Sequence, residues 1–224
     1  MGKRWPAILM LAVASAFAQN QPTVGSLLVA SRDLRDPNFA GTVVLVVTYN
    51  EDGALGLILN RRSDQRIARV FREWKEAAGH NDPVFEGGPV EEDSILALVR
   101  LASPPRSGKR VATGVYVTSD DQTLLGQLNA KSGPERFRVF LGYAGWGPRQ
   151  LEREIDLGGW HVLRPRPALI FDASPETLWQ RLVHEMEVQV AFWRGLQRPG
   201  RRGVLTGVSN RTSANALPRR SVVR

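Results

Sequence analysis

The spacing of apolar and polar residues along this chain changes several times, and each change marks an element. Thr42 to Tyr49 contains the unbroken run Val43-Val44-Leu45-Val46-Val47. A short, β-branched run of this kind predicts a buried strand. Asn50-Glu51-Asp52-Gly53 then supplies turn chemistry, and Ala54 to Leu59 is apolar again, so the two runs predict a β-hairpin. A shorter apolar strand, Gly25 to Ala30, comes before them. Ile67, Val70, Phe71 and Trp74 recur at helical spacing with Arg66, Arg69, Arg72 and Lys75 opposite, which predicts an amphipathic helix ending near Gly79. Ser94 to Arg100 and Arg110 to Thr118 each read as one strand. Ser119-Asp120-Asp121-Gln122 has the form of a capping box and opens a helix carrying Leu124, Leu125 and Leu128.

The stretch from Arg136 to Ile155 combines three patterns. Phe137, Val139 and Leu141 alternate with Arg138 and Phe140, as in a strand. Gly142, Gly145 and Gly147 then interrupt it around Tyr143 and Trp146, predicting a glycine turn. Pro148 follows, with Leu151 and Ile155 at the i, i+4 spacing of a short helix. Such a turn can hold an anion or pack two elements tightly. A second glycine turn is expected at Glu86-Gly87-Gly88-Pro89.

Further on, Trp160 to Leu163 is a strand candidate and Pro167 to Phe171 is a short apolar run. Ser174 and Pro175 suit the N-cap and first position of a long helix, with Leu178, Leu182, Met186, Val190 and Trp193 as its core stripe. Strand pairs come early and helices interleave late, without a βαβ repeat. That order predicts an α+β single domain with a mixed, mainly antiparallel sheet flanked by helices.

Charge divides the 224 residues unevenly. Residues 198–224 hold seven arginines and no acid, and Lys3 and Arg4 add two more cations. Together they exceed the net +8, leaving −1 for residues 19–197. The basic character therefore lies at the two ends. Residues 198–224 are expected to be a disordered tail able to contact polyanions. At the other end, Lys3 and Arg4 precede an apolar run from Ala7 to Ala18 that closes on Ala16-Phe17-Ala18. This is the layout of a cleaved signal peptide over residues 1–18, giving an exported domain over 19–197 with no transmembrane span in the mature chain. The alternative is a cytoplasmic protein.

Cysteine is absent, which excludes disulfides, thiolate metal sites and cysteine nucleophiles. His184-Glu185-Met186-Glu187 lacks the second histidine of a zinc-protease helix, and the chain has no Gly-x-Ser-x-Gly elbow, P-loop or dinucleotide fingerprint. No catalytic set, metal or cofactor is expected.

Several of these segments resemble the YqgE/AlgH family. They are Gly142-Tyr-Ala-Gly-Trp-Gly-Pro148 with Gln150-Leu-Glu152 and the later Trp160, Gly53-Ala-Leu-Gly-Leu-Ile-Leu-Asn60, Val84-Phe-Glu-Gly-Gly-Pro-Val90 and Asp36-Pro-Asn-Phe39. They occur in order from about Gly25 to Trp193. The resemblance implies the same α+β class. Members are commonly labelled transcriptional regulators, and the family implies no catalytic set. The chain departs from the family pattern at Arg61-Arg62, Val99-Arg100 and Arg149.

These readings imply a non-enzymatic binding or regulatory domain whose partner is an unknown protein or small ligand. Its site is expected in a cleft between the two glycine turns, formed by Glu86, Gly87, Gly88, Pro89, Gly142, Tyr143, Gly145, Trp146, Gly147 and Glu152. Two alternatives compete with it. One is an enzyme using Glu152 or Asp172 as acid or base at the same place. The other is a cytoplasmic transcriptional regulator or polyanion binder acting through the basic tail. For Glu152 the structural role is capping of the N–H groups at the turn or helix start.

Overall fold

The computed structural model describes residues 21–196, so the expected signal peptide and the expected tail both lie outside the described residues. The apolar runs become strands with both faces covered, for a reason visible residue by residue. Leu27 and Val29 of β1 (Leu27–Ala30) and Val43, Leu45 and Val47 of β2 (Val43–Asn50) join one core. Their neighbours Leu28, Ala30, Val44 and Val46 join a second core on the opposite face. A strand alternates sides at every residue, so two covered faces require an unbroken apolar run.

β3 (Gly53–Ile58) returns from β2, with Asn50 paired to Gly53, so the loop is only Glu51-Asp52. After it come β4 (Arg62–Arg66), β5 (Pro83–Glu86), β6 (Val90–Arg100), β7 (Lys109–Ala112), β8 (Val115–Thr118), β9 (Phe137–Trp146) and β10 (Trp160–Leu163). The main sheet runs β10-β1-β2-β3-β9-β6-β8-β7. β5 adds to β9 in parallel, while every other pairing is antiparallel. The helices are α1 (Ile67–Val70), α2 (Asp121–Asn129), α3 (Gln150–Asp156), α4 (Pro167–Ile170) and α5 (Leu178–Leu196). The α+β class and the mixed, mainly antiparallel sheet are as expected.

Several local expectations are corrected. The helix expected over Ile67–Trp74 is one turn, Ile67–Val70, after the exposed strand β4. Ile67 and Phe71 are still buried, in a third core with Val84, Val99, Leu124 and Val139: α1 carries the first, and the second ends that turn. Arg110–Thr118 is a hairpin, turning at Gly114 with φ +68. The cap of α2 is Asp120, whose Oδ2 accepts from Thr123 N at 2.9 Å, in place of Ser119. Pro167 starts a helical turn, since its ring fixes φ where a helix needs it. On α5, Leu178 and Leu182 are buried, whereas Val190 is 49% exposed; the Trp193 side chain lies outside what is described.

The central element differs most. Gly142 and Gly145 make no turn: β9 continues through Gly142, Tyr143, Ala144 and Gly145 to Trp146. Beyond it, Arg149 enters α3 with φ +58.

Arg138 is buried on β9, on the same face as Phe140. Arg138 lies over the rings of Phe85 (5.0 Å) and Phe171 (5.7 Å) and donates to the carbonyls of Pro134 and Asp172. Burial, reinforced by the nearby charge of Arg62, lowers its pKa to about 10, so it stays charged at neutral pH.

Candidate functional site

One edge of β9 serves two partners in succession. Ala144, Gly145 and Trp146 pair with β3, whereas Phe140 and Leu141 pair with β5. The sheet therefore forks, and Gly87 sits in the crotch. Its N–H donates to Leu141 O at 2.7 Å, and its carbonyl accepts from Ile58 N at 2.9 Å. Only glycine fits here. A Cβ on Gly87 would overlap the Gly142 carbonyl, and one on Gly88 would overlap the Tyr143–Ala144 peptide. Gly142 itself has φ +65, and a Cβ there would lie 2.5 Å from Gly88 O. Asn60 secures the far side of the fork, accepting from Val43 N at 2.7 Å and donating to Gly41 O at 2.9 Å.

Above this junction lies a cleft of about 360 Å³. Glu86, Gly88 and Pro89 line it, joined by Asn38, Arg61, Ser63, Gln65, Glu92 and Leu141. Arg61 Nη1 donates to Asn38 O at 3.0 Å, and its Nε lies 3.8 Å from Glu86 Oε2. Ser63 and Gln65 come from β4, which among the described residues pairs only with β5.

The ten residues expected in one cleft are thus divided. Glu86, Gly88 and Pro89 form the wall, and Gly87 and Gly142 the backbone beneath it. Tyr143 is turned toward Glu91, to which its hydroxyl donates at 3.1 Å. Gly145 pairs with Leu55 and leaves room for a methyl group, with its nearest neighbours 3.5 Å from a built Cβ. Gly147 is exposed, its N–H held by Gln150 Oε1 at 3.1 Å.

Trp146 belongs to the second core. Its ring meets Phe39 (5.9 Å, stacked) and Trp160 (5.9 Å, edge-on). Both indole N–H groups donate to Glu154 Oε2, at 3.0 Å and 2.9 Å, and Gln150 Nε2 donates to Glu154 Oε1 at 2.9 Å. The carboxylate organising this region is therefore Glu154, which the sequence did not single out. Its i, i+4 spacing from Gln150 is the one available signal.

Glu152 faces a separate recess of about 830 Å³, with Tyr49, Asn50, Glu51, Arg149 and Asp156 around it. Tyr49 Oη donates to Glu152 Oε1 at 2.7 Å, and the residue's own backbone N–H in the first turn of α3 also favours its carboxylate, so the capping expected for Glu152 is joined by a second task. Burial, then the bond to Glu152, pushes the Tyr49 phenol up to about 12. The same bond outweighs burial at Glu152 and holds its carboxyl below the usual range.

Asp172 is also tied down. Burial alone would raise its pKa, but bonds from Arg181 and the Ser174 N–H bring it down. His80 is buried, with Nε2 2.9 Å from Leu128 O. Among the described residues no group of three histidines and acids could hold a metal ion, and no helix is long and apolar enough to cross a membrane.

The fold as a whole is found in other proteins. The fold resembles the solution structure of AlgH from Pseudomonas aeruginosa, with a TM-score of 0.60 and 28% identity over 81% of this chain and 97% of that one. A crystal structure from Corynebacterium diphtheriae shares the fold at a TM-score of 0.62, with 24% identity over 80% of this chain and 94% of that one. Residues 27–191 match the family described as AlgH-like, and the chain belongs to that family. A UPF0301 protein of Streptomyces coelicolor is 34% identical over 185 residues, 80% of this chain and 94% of the relative. Another, from Thermobifida fusca, is 37% identical over 180 residues, 75% and 89% respectively.

Proposed function

We propose that this AlgH-like protein is a binding domain without catalytic activity, and that it takes an extended segment of a partner protein into the cleft above the sheet fork. The observation carrying this reading is the cleft's construction. A rigid backbone floor lies beside β4, an edge strand of the described sheet whose Ser63 and Gln65 face the opening. An edge strand offers backbone hydrogen bonds to an added strand, while Arg61, Glu86 and Glu92 select its side chains. Catalysis is disfavoured by how the candidate acids are used. Glu152 and Asp172 are held ionised by their hydrogen-bond donors, and a general acid or base at neutral pH needs a pKa nearer to 7.

A phage-displayed library of linear peptides tests this. Peptides enriched on the full chain should lose binding to Arg61→Glu and to Glu92→Lys. Failure to enrich any peptide sensitive to these changes would overturn the reading.

The protein is further proposed to act outside the cytoplasm, on the strength of Lys3-Arg4, the apolar run and Ala16-Phe17-Ala18. Mass determination of the mature N-terminus checks this, with Gln19 expected. Recovery from the cytoplasm with Met1 intact would restore the gene-regulatory reading.

A further inference from the structure

The recess beside Tyr49 is separate from the fork cleft and has its own chemistry. Its base is apolar: Pro22 and Ile155 are buried there, and the half-buried Tyr49 adds an aromatic surface. Three carboxylates surround that base. Glu51 and Asp156 are exposed, and Glu152 is fixed in place by the Tyr49 hydroxyl at 2.7 Å. A single cation among the lining residues, Arg149, stands against them.

We propose that this recess binds a cation carried on an aliphatic stem, an alkylammonium or alkylguanidinium group. The apolar base suits a methylene stem, which prefers such a surface while its charged head stays near polar groups. An aromatic ring attracts a cation over its face, and the carboxylates supply the opposing charge. The hydroxyl of Tyr49 keeps Glu152 oriented and ionised, so the acceptor is ready before the ligand arrives. Arg149 is the competitor. Its left-handed backbone, φ +58, sets it at the start of α3 beside these groups, and its charge acts on both Tyr49 and Glu152.

Calorimetric titration of the full chain with agmatine, a guanidinium and an ammonium joined by four methylenes, tests the assignment. Saturable binding at one site is expected, with 1,4-butanediol as an inert control. Glu152→Gln should weaken binding roughly tenfold, through loss of a charge-assisted hydrogen bond. Asp156→Asn should weaken it about threefold and Arg149→Ala strengthen it about threefold, as expected for single charges in a solvated rim. Asp156 and Arg149 are exposed, so these two variants read the site without touching the core. Arg61→Glu, in the fork cleft, should leave the affinity unchanged. No saturable heat, equal binding of the diol, or an affinity indifferent to both Glu152→Gln and Asp156→Asn would overturn the proposal.

Discussion

Gly88 and Gly142 come from different strands and meet backbone to backbone, with a Cβ built on Gly142 falling 2.5 Å from the Gly88 carbonyl oxygen. Neither residue can gain a side chain without parting β9 from the Gly87-Gly88 segment. The contact holds the fork closed and gives the cleft above it a fixed floor.

The glycines should therefore differ sharply in tolerance. Gly142→Ala, at φ +65 and in collision with two carbonyl oxygens, should cost about 2–4 kcal/mol. Gly88→Ala should cost a similar amount. Gly145→Ala should change stability by less than about 1 kcal/mol, because a methyl group there makes only ordinary contacts. Urea unfolding of the three variants measures this; equal losses would contradict the fork geometry.

A second comparison separates two nearby carboxylates. Trp146→Ala should cost about 3–5 kcal/mol through the cavity it leaves among Phe39 and Trp160. Glu154→Gln should cost about 1–2 kcal/mol, the usual loss when a buried donor goes unpaired. An amide there can serve both indole N–H groups only by turning its own NH₂ toward that of Gln150. Glu152→Gln should cost less, since its amide oxygen can still accept from Tyr49. Thermal unfolding should rank the three in that order.

Tyr49 should be visible in an alkaline titration. Of the three tyrosines, one should ionise at about 12 when absorbance is followed near the phenolate band. A folded pKa above the unfolded value favours the folded state while the phenol is protonated. That contribution is complete below about 10, the usual tyrosine value, and is lost as pH rises toward 12. Tyr49→Phe should abolish the late titration and flatten this part of the stability curve.

The tail offers a prediction about charge alone. Residues 198–224, which carry seven arginines and no acid, should retain the protein on heparin with steep salt dependence. Truncation after Gln197 should abolish retention and leave the unfolding temperature nearly unchanged. Retention that survives truncation would place the polyanion contact on the domain.

Local pattern was a sound guide wherever a single residue's neighbours in sequence decide its state. The continuous Val43–Val47 run, the Asn50–Gly53 turn and the buried pair Leu151 and Ile155 are of this kind. The amphipathic spacing also named Ile67 and Phe71 correctly as buried, with Val70 half-buried, yet it overstated the helix. Burial constrains where side chains end up, and one helical turn with a looped continuation satisfies it equally well.

The ten-residue site was legible only in part. Glu86, Gly88 and Pro89 do line a cleft, and Gly87 and Gly142 do meet beneath it. Trp146 lies four residues further along β9 than Gly142 and packs into the second core, whereas Glu152 lies on α3, which leaves the strand after Arg149 and carries it to another recess.

By itself, then, the sequence determined the α+β class, the apolar strands and the presence of glycines where backbones must approach. Tertiary structure decided what those glycines do. A turn and a strand fork make the same local demand, a backbone without a Cβ. The two are distinguished only by what lies opposite, here Gly88 and Val90 across from Gly142, more than fifty residues away in the chain. Pairing between such distant segments is settled by the packing of both faces at once, and no short window of residues contains that information.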